Sequence, residues 1–257
     1  MWKIVSASVM GTSHREGEIP CQDASAVEVV GEGERSALVL VAADGAGSAS
    51  HSDEGSEIAC EELIRQIEAA AIADDWLEHA THETVQDWLA QVREAITLRA
   101  AELEVEPRQM ATTVVAAIVA QDLALFFQIG DGAAVYWDMG QYYWATWPQS
   151  GEYANSTFFL TDETFATSIQ VHRIEHRVDE CALFTDGLER LILRFSDQTV
   201  HTPFLEPMFT TMRASDSVDH LHEPLEQFLN SPAINERTND DKTLILATRL
   251  TADDAVG

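Results

Sequence analysis

Residues 38–55, LVLVAADGAGSASHSDEG, constrain this chain more than any other stretch. Leu38 to Ala43 are apolar without a break, and a strand apolar at every position must be covered on both faces, so its sheet needs a layer on either side. The run ends directly in Asp44-Gly45, which places a carboxylate at a rigidly held strand end. Gly45 has no Cβ, so its carbonyl can approach a bound ion closely, and Gly47 lets the loop turn tightly. Ser52, Asp53 and Glu54 then read as an N-cap and first-turn acids of a helix. Taken alone, the same residues also describe a plain strand-to-helix turn in which Asp44 caps its neighbours; the rest of the chain decides between the two.

Upstream, residues 2–10 alternate as a first strand. GTSHREGEIPCQDAS reads as an irregular loop that delivers Gln22-Asp23 to a second strand at about 25–30, and GEGERS (31–36) reads as the hairpin turn into the central strand. Downstream, apolar residues recur at helical spacing over 53–73 and 82–104, predicting two helices on one face of a sheet. His79 and His82 stand three apart with no third ligand fixed by spacing and read as surface residues. From Thr112 to Thr146 the texture becomes that of a buried four-strand meander turning at Gln121-Asp122, Gly130-Asp131-Gly132 and Met139-Gly140, with Asp131 read as a turn former or, alternatively, as a brace for backbone under an active site. Residues 147–170 lack a period and read as a functional loop or flap. Val178 to Thr185 repeats the first architecture: an apolar strand, then Asp186-Gly187, then a helix from about 188. Helices follow at about 204–213 and 217–230, and Asp240-Asp241 enters a closing strand over 243–250. Residues 251–257 read as a tail, leaving one domain over 1–250.

Strand edges thus carry Asp23, Asp44, Asp186 and either Asp240 or Asp241. Carboxylates gathered in one cleft raise one another's pKa and cannot all stay ionised without cations. Oxygen-only ligands point to hard divalent ions, and the lack of a Cys/His set argues against zinc. The chain carries 15 Lys and Arg against 44 Asp and Glu, a net charge of −29. Such a field disfavours nucleic acid and anionic membrane as partners and favours cations and basic segments. Three widely spaced cysteines without a C-x-x-C pair suit a reducing, cytoplasmic setting, with Cys60 and Cys181 as core residues. The first ten residues lack the long apolar core of a signal peptide, and no run reaches the ~18 apolar residues of a membrane span.

The ordered series Gln22-Asp23, VAADGAG, Ala111-Thr112-Thr113, Gly130-Asp131, LFTDGL and NDDKT resembles the motifs of the metal-dependent protein phosphatases, the type 2C or PPM family, over residues 6–250. The loop GTSHREGEIPCQDA and the later PQSGEYANSTFFLT resemble an atypical bacterial subgroup. The resemblance implies an α+β fold, a four-layer α/β/β/α sandwich of two antiparallel sheets flanked by helices. It implies two Mn²⁺ or Mg²⁺ ions, with Asp44 bridging them, the Gly45 carbonyl on one, and Asp186 and Asp240 on the other. It also implies that Asp23 would orient the attacking water and that phosphoserine or phosphothreonine of a protein phosphorylated by a Ser/Thr kinase would be hydrolysed without a covalent intermediate.

Departures from the family pattern bear on function. The family's phosphate-binding arginine is replaced by Glu18, and the histidine of its Asp-Gly-His motif by Ala46. The segment Glu106-Pro107-Arg108 departs from the pattern associated with a third metal. His14 and Arg15, earlier in the same loop as Glu18, are the candidate replacements: Arg15 as a bidentate phosphate anchor, His14 as an anchor or a proton donor to the leaving alkoxide. Glu18 also keeps open a rival reading, a catalytically silent relative that binds phosphoproteins or regulates a partner. A calcium buffer is excluded by the lack of a D-x-[DN]-x-[DN]-G loop.

Overall fold

The computed structural model describes residues 2–149 and 157–254. The middle of the expected 147–170 loop and the end of the expected tail lie outside them. The chain begins with β1 (Lys3–Val9), α1 (Thr12–Gly17), β2 (Asp23–Val30) and β3 (Ala37–Asp44), followed by the long helices α2 (Ser52–Ala70) and α3 (His82–Glu102). Next come β4 (Val114–Val119), β5 (Ala124–Ile129), β6 (Ala133–Asp138), β7 (Gln141–Thr146), β8 (Gln170–Ile174) and β9 (Glu180–Phe184). The last part contains α4 (Glu189–Ile192), the short pair β10 (Leu193–Arg194) and β11 (Thr199–Val200), α5 (Thr202–Ala214), α6 (His222–Leu229), α7 (Pro232–Asn235) and β12 (Lys242–Thr248).

Two five-stranded antiparallel sheets form the centre, in the orders β1-β12-β9-β6-β7 and β2-β3-β4-β5-β8. The central strand explains why they stack. Along β3 the side chains alternate: Val39, Val41 and Ala43 pack with Leu63, Ile67 and Leu89 of α2 and α3, whereas Leu38, Leu40 and Ala42 pack with Leu183 and Ile245 of the other sheet. Period-two alternation therefore feeds two different cores from one continuous apolar run. On the far side, Leu205 and Phe209 of α5 and Leu225 of α6 cover Val5, Phe184 and Leu246 of the first sheet. The result is the expected four-layer α/β/β/α sandwich. Full burial of Phe126, Phe127 and Phe184 contributes roughly 1.5–3 kcal/mol each.

Differences from the sequence reading are local and have physical causes. The expected meander is split: β4 and β5 lie in one sheet and β6 and β7 in the other, with the chain crossing between them at Gly130, whose φ of +113° suits glycine. The edge strand β8 follows the expected 147–170 loop, sharing only Gln170 with it, and had no signal because QVHRI lacks an apolar run and borders only β5. TSHREG forms α1 although it has no apolar periodicity; one side chain, His14, is buried. The helix after Asp186 is short, a 3₁₀ turn followed by four residues. The hairpin at 31–36 is present, with Gly31 at φ +74°. Cys60 and Cys181 are core residues as expected, and burial pushes the Cys181 thiol up to about 12. No helix among the described residues is long and apolar enough to cross a membrane.

Candidate active site

Strand pairing brings the acidic residues together. In the β2–β3 ladder Asp23 stands directly opposite Asp44, and in the other sheet the β9–β12 pairing, with Phe184 opposite Leu244, sets Asp186 beside the approach to β12. The crossover at Gly130 adds Asp131. Carboxylate oxygens of Asp44, Asp131 and Asp186 all lie within 4.8 Å of one another. Asp131, expected to be a turn former, is therefore part of the cluster; its Gly-flanked setting resembles that of Asp44 and Asp186 and was the signal in the sequence.

The electrostatic consequence is a set of displaced pKa values. Burial, then the charges of Asp131, Asp240 and Asp23, pushes the Asp186 carboxyl up to about 8. Burial is also the main reason that Asp23 rises to about 7, against hydrogen bonds that favour its ionised form. Asp44 is raised by burial and by the charges of Asp23, Asp186, Asp131 and Asp240. Asp131 is raised chiefly by burial. Buried Asp23 Oδ1 and Asp131 Oδ1 have no hydrogen-bond partner among the described residues. Crowded carboxylates with unpartnered oxygens and no nitrogen or sulfur ligand fit a hard divalent cation.

The surrounding backbone holds these side chains tightly. Thr112 Oγ1 donates to the Asp44 carbonyl at 3.0 Å and the Asp44 N–H donates to Thr113 Oγ1 at 3.1 Å, which gives the Ala-Thr-Thr segment its purpose. Asp23 Oδ2 accepts from Thr185 Oγ1 at 2.8 Å, tying one sheet to the other. The Gly45 N–H donates to the Gln22 carbonyl at 3.0 Å, and a Cβ at Gly45 would come within 2.5 Å of the Ser52 carbonyl oxygen. At Gly187 a Cβ would stand 2.0 Å from the Asp241 carbonyl oxygen. These two glycines let strand ends and loops close around the cluster.

The choice between Asp240 and Asp241 is decided by partners. Asp241 is buried and fully engaged, accepting from the Gly11 N–H at 2.6 Å, the Gln22 N–H at 2.6 Å and His14 Nδ1 at 2.8 Å. Asp240 is exposed and its charge is felt by Asp44, Asp131 and Asp186. Asp241 thus gives its oxygens to the protein's own donors, a difference from Asp240 that the residue pattern alone left open, while the family resemblance implied Asp240 as the metal ligand.

Of the two loop candidates, only His14 turns inward. It is buried, and the Cβ direction of Gly47 comes within 4.0 Å of both His14 Nε2 and the unpartnered Gln22 Oε1. His14 therefore faces the same Asp-Gly-Ala-Gly loop whose Ala46 replaces the family histidine. Arg15 is exposed and Nη2 donates to Asn230 Oδ1 at 3.2 Å, beyond the end of α6. The structure does not bring it to the acidic cluster, because α1 turns residues 14 and 15 to different sides, as adjacent helical positions must. Glu18 is exposed in the left-handed cap of α1, at φ +54°. Glu106 is exposed and paired with Arg108 at 2.6 Å.

Two facing antiparallel sheets with an aspartate cluster at one edge define the metal-dependent phosphoprotein phosphatases, and a family model of protein phosphatase 2C matches residues 10–230. The chain belongs to the protein phosphatase 2C family. It is 37% identical to serine/threonine-protein phosphatase 3 of Escherichia coli (strain K12) over 250 residues, 96% of this chain and 98% of that protein. A bacterial serine phosphatase superposes with a TM-score of 0.69 at 19% identity, covering 98% of this chain and 99% of the other. The serine/threonine phosphatase Stp1 from Staphylococcus aureus superposes with a TM-score of 0.68 at 18% identity, covering 96% of this chain and 95% of that one.

Proposed function

We propose that this chain, a phosphoprotein phosphatase by family, removes phosphate from phosphoserine and phosphothreonine using two divalent cations, Mn²⁺ or Mg²⁺. The observation that carries this is the convergence of Asp44, Asp131 and Asp186 beside the unpartnered buried oxygens of Asp23 and Asp131. Asp44 and the Gly45 carbonyl would hold one ion, and Asp44, Asp186 and Asp240 the other. When bound, the ions supply charge neutralisation for the phosphoryl oxygens and activation of the attacking water.

The remaining work falls to the chain's own groups. Asp23, fixed through one oxygen by Thr185, presents the other to orient water. The Asp241 carboxylate accepts from His14 Nδ1, which fixes the ring and leaves Nε2 facing the cleft loop to deliver a proton to the leaving serine or threonine oxygen. His14 thereby takes the place left by Ala46. Glu18, outside the acidic cluster on an exposed helix cap, gives a silent relative no support. The substrate is the product of a Ser/Thr kinase, the setting is cytoplasmic, and residues 1–250 act as one domain.

The test is phosphate release from paired phosphoserine, phosphothreonine and phosphotyrosine peptides with Mn²⁺, Mg²⁺ or chelator. We expect turnover of the first two with either ion and background with chelator. Turnover confined to phosphotyrosine, or none with either ion, would contradict the assignment.

A further inference from the structure

Beside the carboxylate cluster the surface changes sign. A cavity of about 340 Å³ is lined by the acids Asp186, Glu189 and Asp240 together with Arg190 and Arg237. The same two arginines line a second cavity, of about 460 Å³, that continues to His201 and Phe204. Shared walls make the two a continuous groove leading out of the cluster. Local sequence fixes this arrangement. Arg190 follows Asp186 by four residues across a 3₁₀ turn and the start of the short helix α4, and Arg237 precedes Asp240 by three along the turn after α7, so each arginine is close in sequence to an acidic residue of the site.

Most of this guanidinium capacity is left over by the protein's own acids. The chain carries 44 Asp and Glu, yet the Arg237 side chain has no hydrogen bond or ion pair among the described residues. Arg190 is 86% exposed and reaches only the adjacent Glu189, at 3.4 Å. Neither pairs with Asp186 or Asp240, although all four line one cavity. At the far end His201 Nδ1 accepts from Arg194 Nη2 at 3.0 Å, so a third guanidinium stands behind the groove. A cationic wall in so acidic a molecule, continuous with the catalytic cleft, matches an anionic segment of substrate.

We propose that this groove is a specificity subsite that selects phosphoresidues followed or preceded, at a distance of two to four residues, by an acidic side chain or a second phosphate. Extended peptide advances ~3.4 Å per residue, so two to four residues carry a flanking acid roughly 7–14 Å from the scissile phosphate. This inference rests on the phosphatase reading and adds the class of substrate. A guanidinium gripping the scissile phosphoryl itself is the contrasting role, and it would affect all substrates alike.

The test uses phosphothreonine peptides identical except for Glu or Gln at the flanking positions, with wild type and Arg190→Gln/Arg237→Gln. In wild type with Mn²⁺ the Glu peptide should have kcat/KM about tenfold higher, a preference that shrinks as salt shortens the Debye length from about 14 Å to 4 Å. The double variant should bring the Glu to Gln ratio close to one. Fluorescence anisotropy of the corresponding phosphonate peptides, which cannot be hydrolysed, reads the groove apart from turnover and should give the same ratio. A wild-type Glu to Gln ratio close to one in both assays, an unchanged ratio in the variant, or an equal loss for both peptides would overturn the subsite. A Glu preference in anisotropy without turnover would keep the subsite and sink the phosphatase reading; turnover without preference would do the reverse.

Discussion

Removing one charge from the acidic cluster should stabilise the metal-free protein, and the effect should depend on pH. Two unit charges within 4.8 Å repel by about 3 kcal/mol at an effective dielectric constant of 20. Asp44→Asn relieves that repulsion with Asp186, and with Asp23 and Asp131, while keeping the side chain's shape. The relief exists only where the neighbours are ionised. Their folded pKa values are raised, to about 7 for Asp23 and about 8 for Asp186, so the folded state holds protons that the unfolded chain has released. The sign follows: stability is full below the unfolded value of 3.8 and is lost as pH rises through about 7 to 8. In chelator at about pH 3.5, below the unfolded value of 3.8, the variant should match wild type, and at about pH 8.5 it should be more stable by about 3 kcal/mol, or about 6–12 °C in Tm for a chain of this size. The wild-type-minus-variant difference cancels the general repulsion of a −29 surface. Saturating Mn²⁺ should reverse the order, because wild type then gains binding energy that the variant has lost. A variant less stable than wild type in chelator at pH 8.5, or a difference independent of pH, would refute the reasoning.

Gly187→Ala should lower stability by at least about 2 kcal/mol in urea unfolding, since its Cβ would meet the Asp241 carbonyl oxygen at 2.0 Å and backbone cannot swing aside. Within the loop, His14→Ala should lower kcat for phosphothreonine about 100-fold and spare p-nitrophenyl phosphate, whose leaving group needs no proton. Arg15→Ala, at a residue held by Asn230, should change KM by less than about twofold in steady-state assays.

The parts of the fold legible in the sequence were those written in one-dimensional periodicity. The apolar runs at 38–43 and 178–185 and the helical spacing in 53–73 and 82–104 reported burial directly, because a strand covered on both faces or a helix with one buried stripe leaves no other pattern. What stayed hidden depends on partners. Sheet assignment after Gly130 turns on a single backbone angle, β8 is an edge strand with few apolar residues, and α1 shows no periodicity because only His14 is buried. At the site, Asp23, Asp44 and Asp186 could be singled out because each adjoins a strand end and their order matches a family pattern. The split between Asp240 and Asp241 was not in the residue pattern, only in the family resemblance that implied Asp240, since it depends on three donors contributed by Gly11, His14 and Gln22, more than 200 residues away. The opposite fates of His14 and Arg15 follow from a helix that the residues themselves do not announce.

The central claim is that the aspartate cluster holds the cations on which hydrolysis depends. Mn²⁺ binding counted by electron paramagnetic resonance, in parallel with phosphate release from a phosphothreonine peptide, tests it most directly. Wild type should bind two ions with turnover rising in step with occupancy, and Asp44→Asn and Asp186→Asn should lose both binding and turnover while remaining folded. Full turnover in chelator, or wild-type turnover in Asp44→Asn, would contradict it.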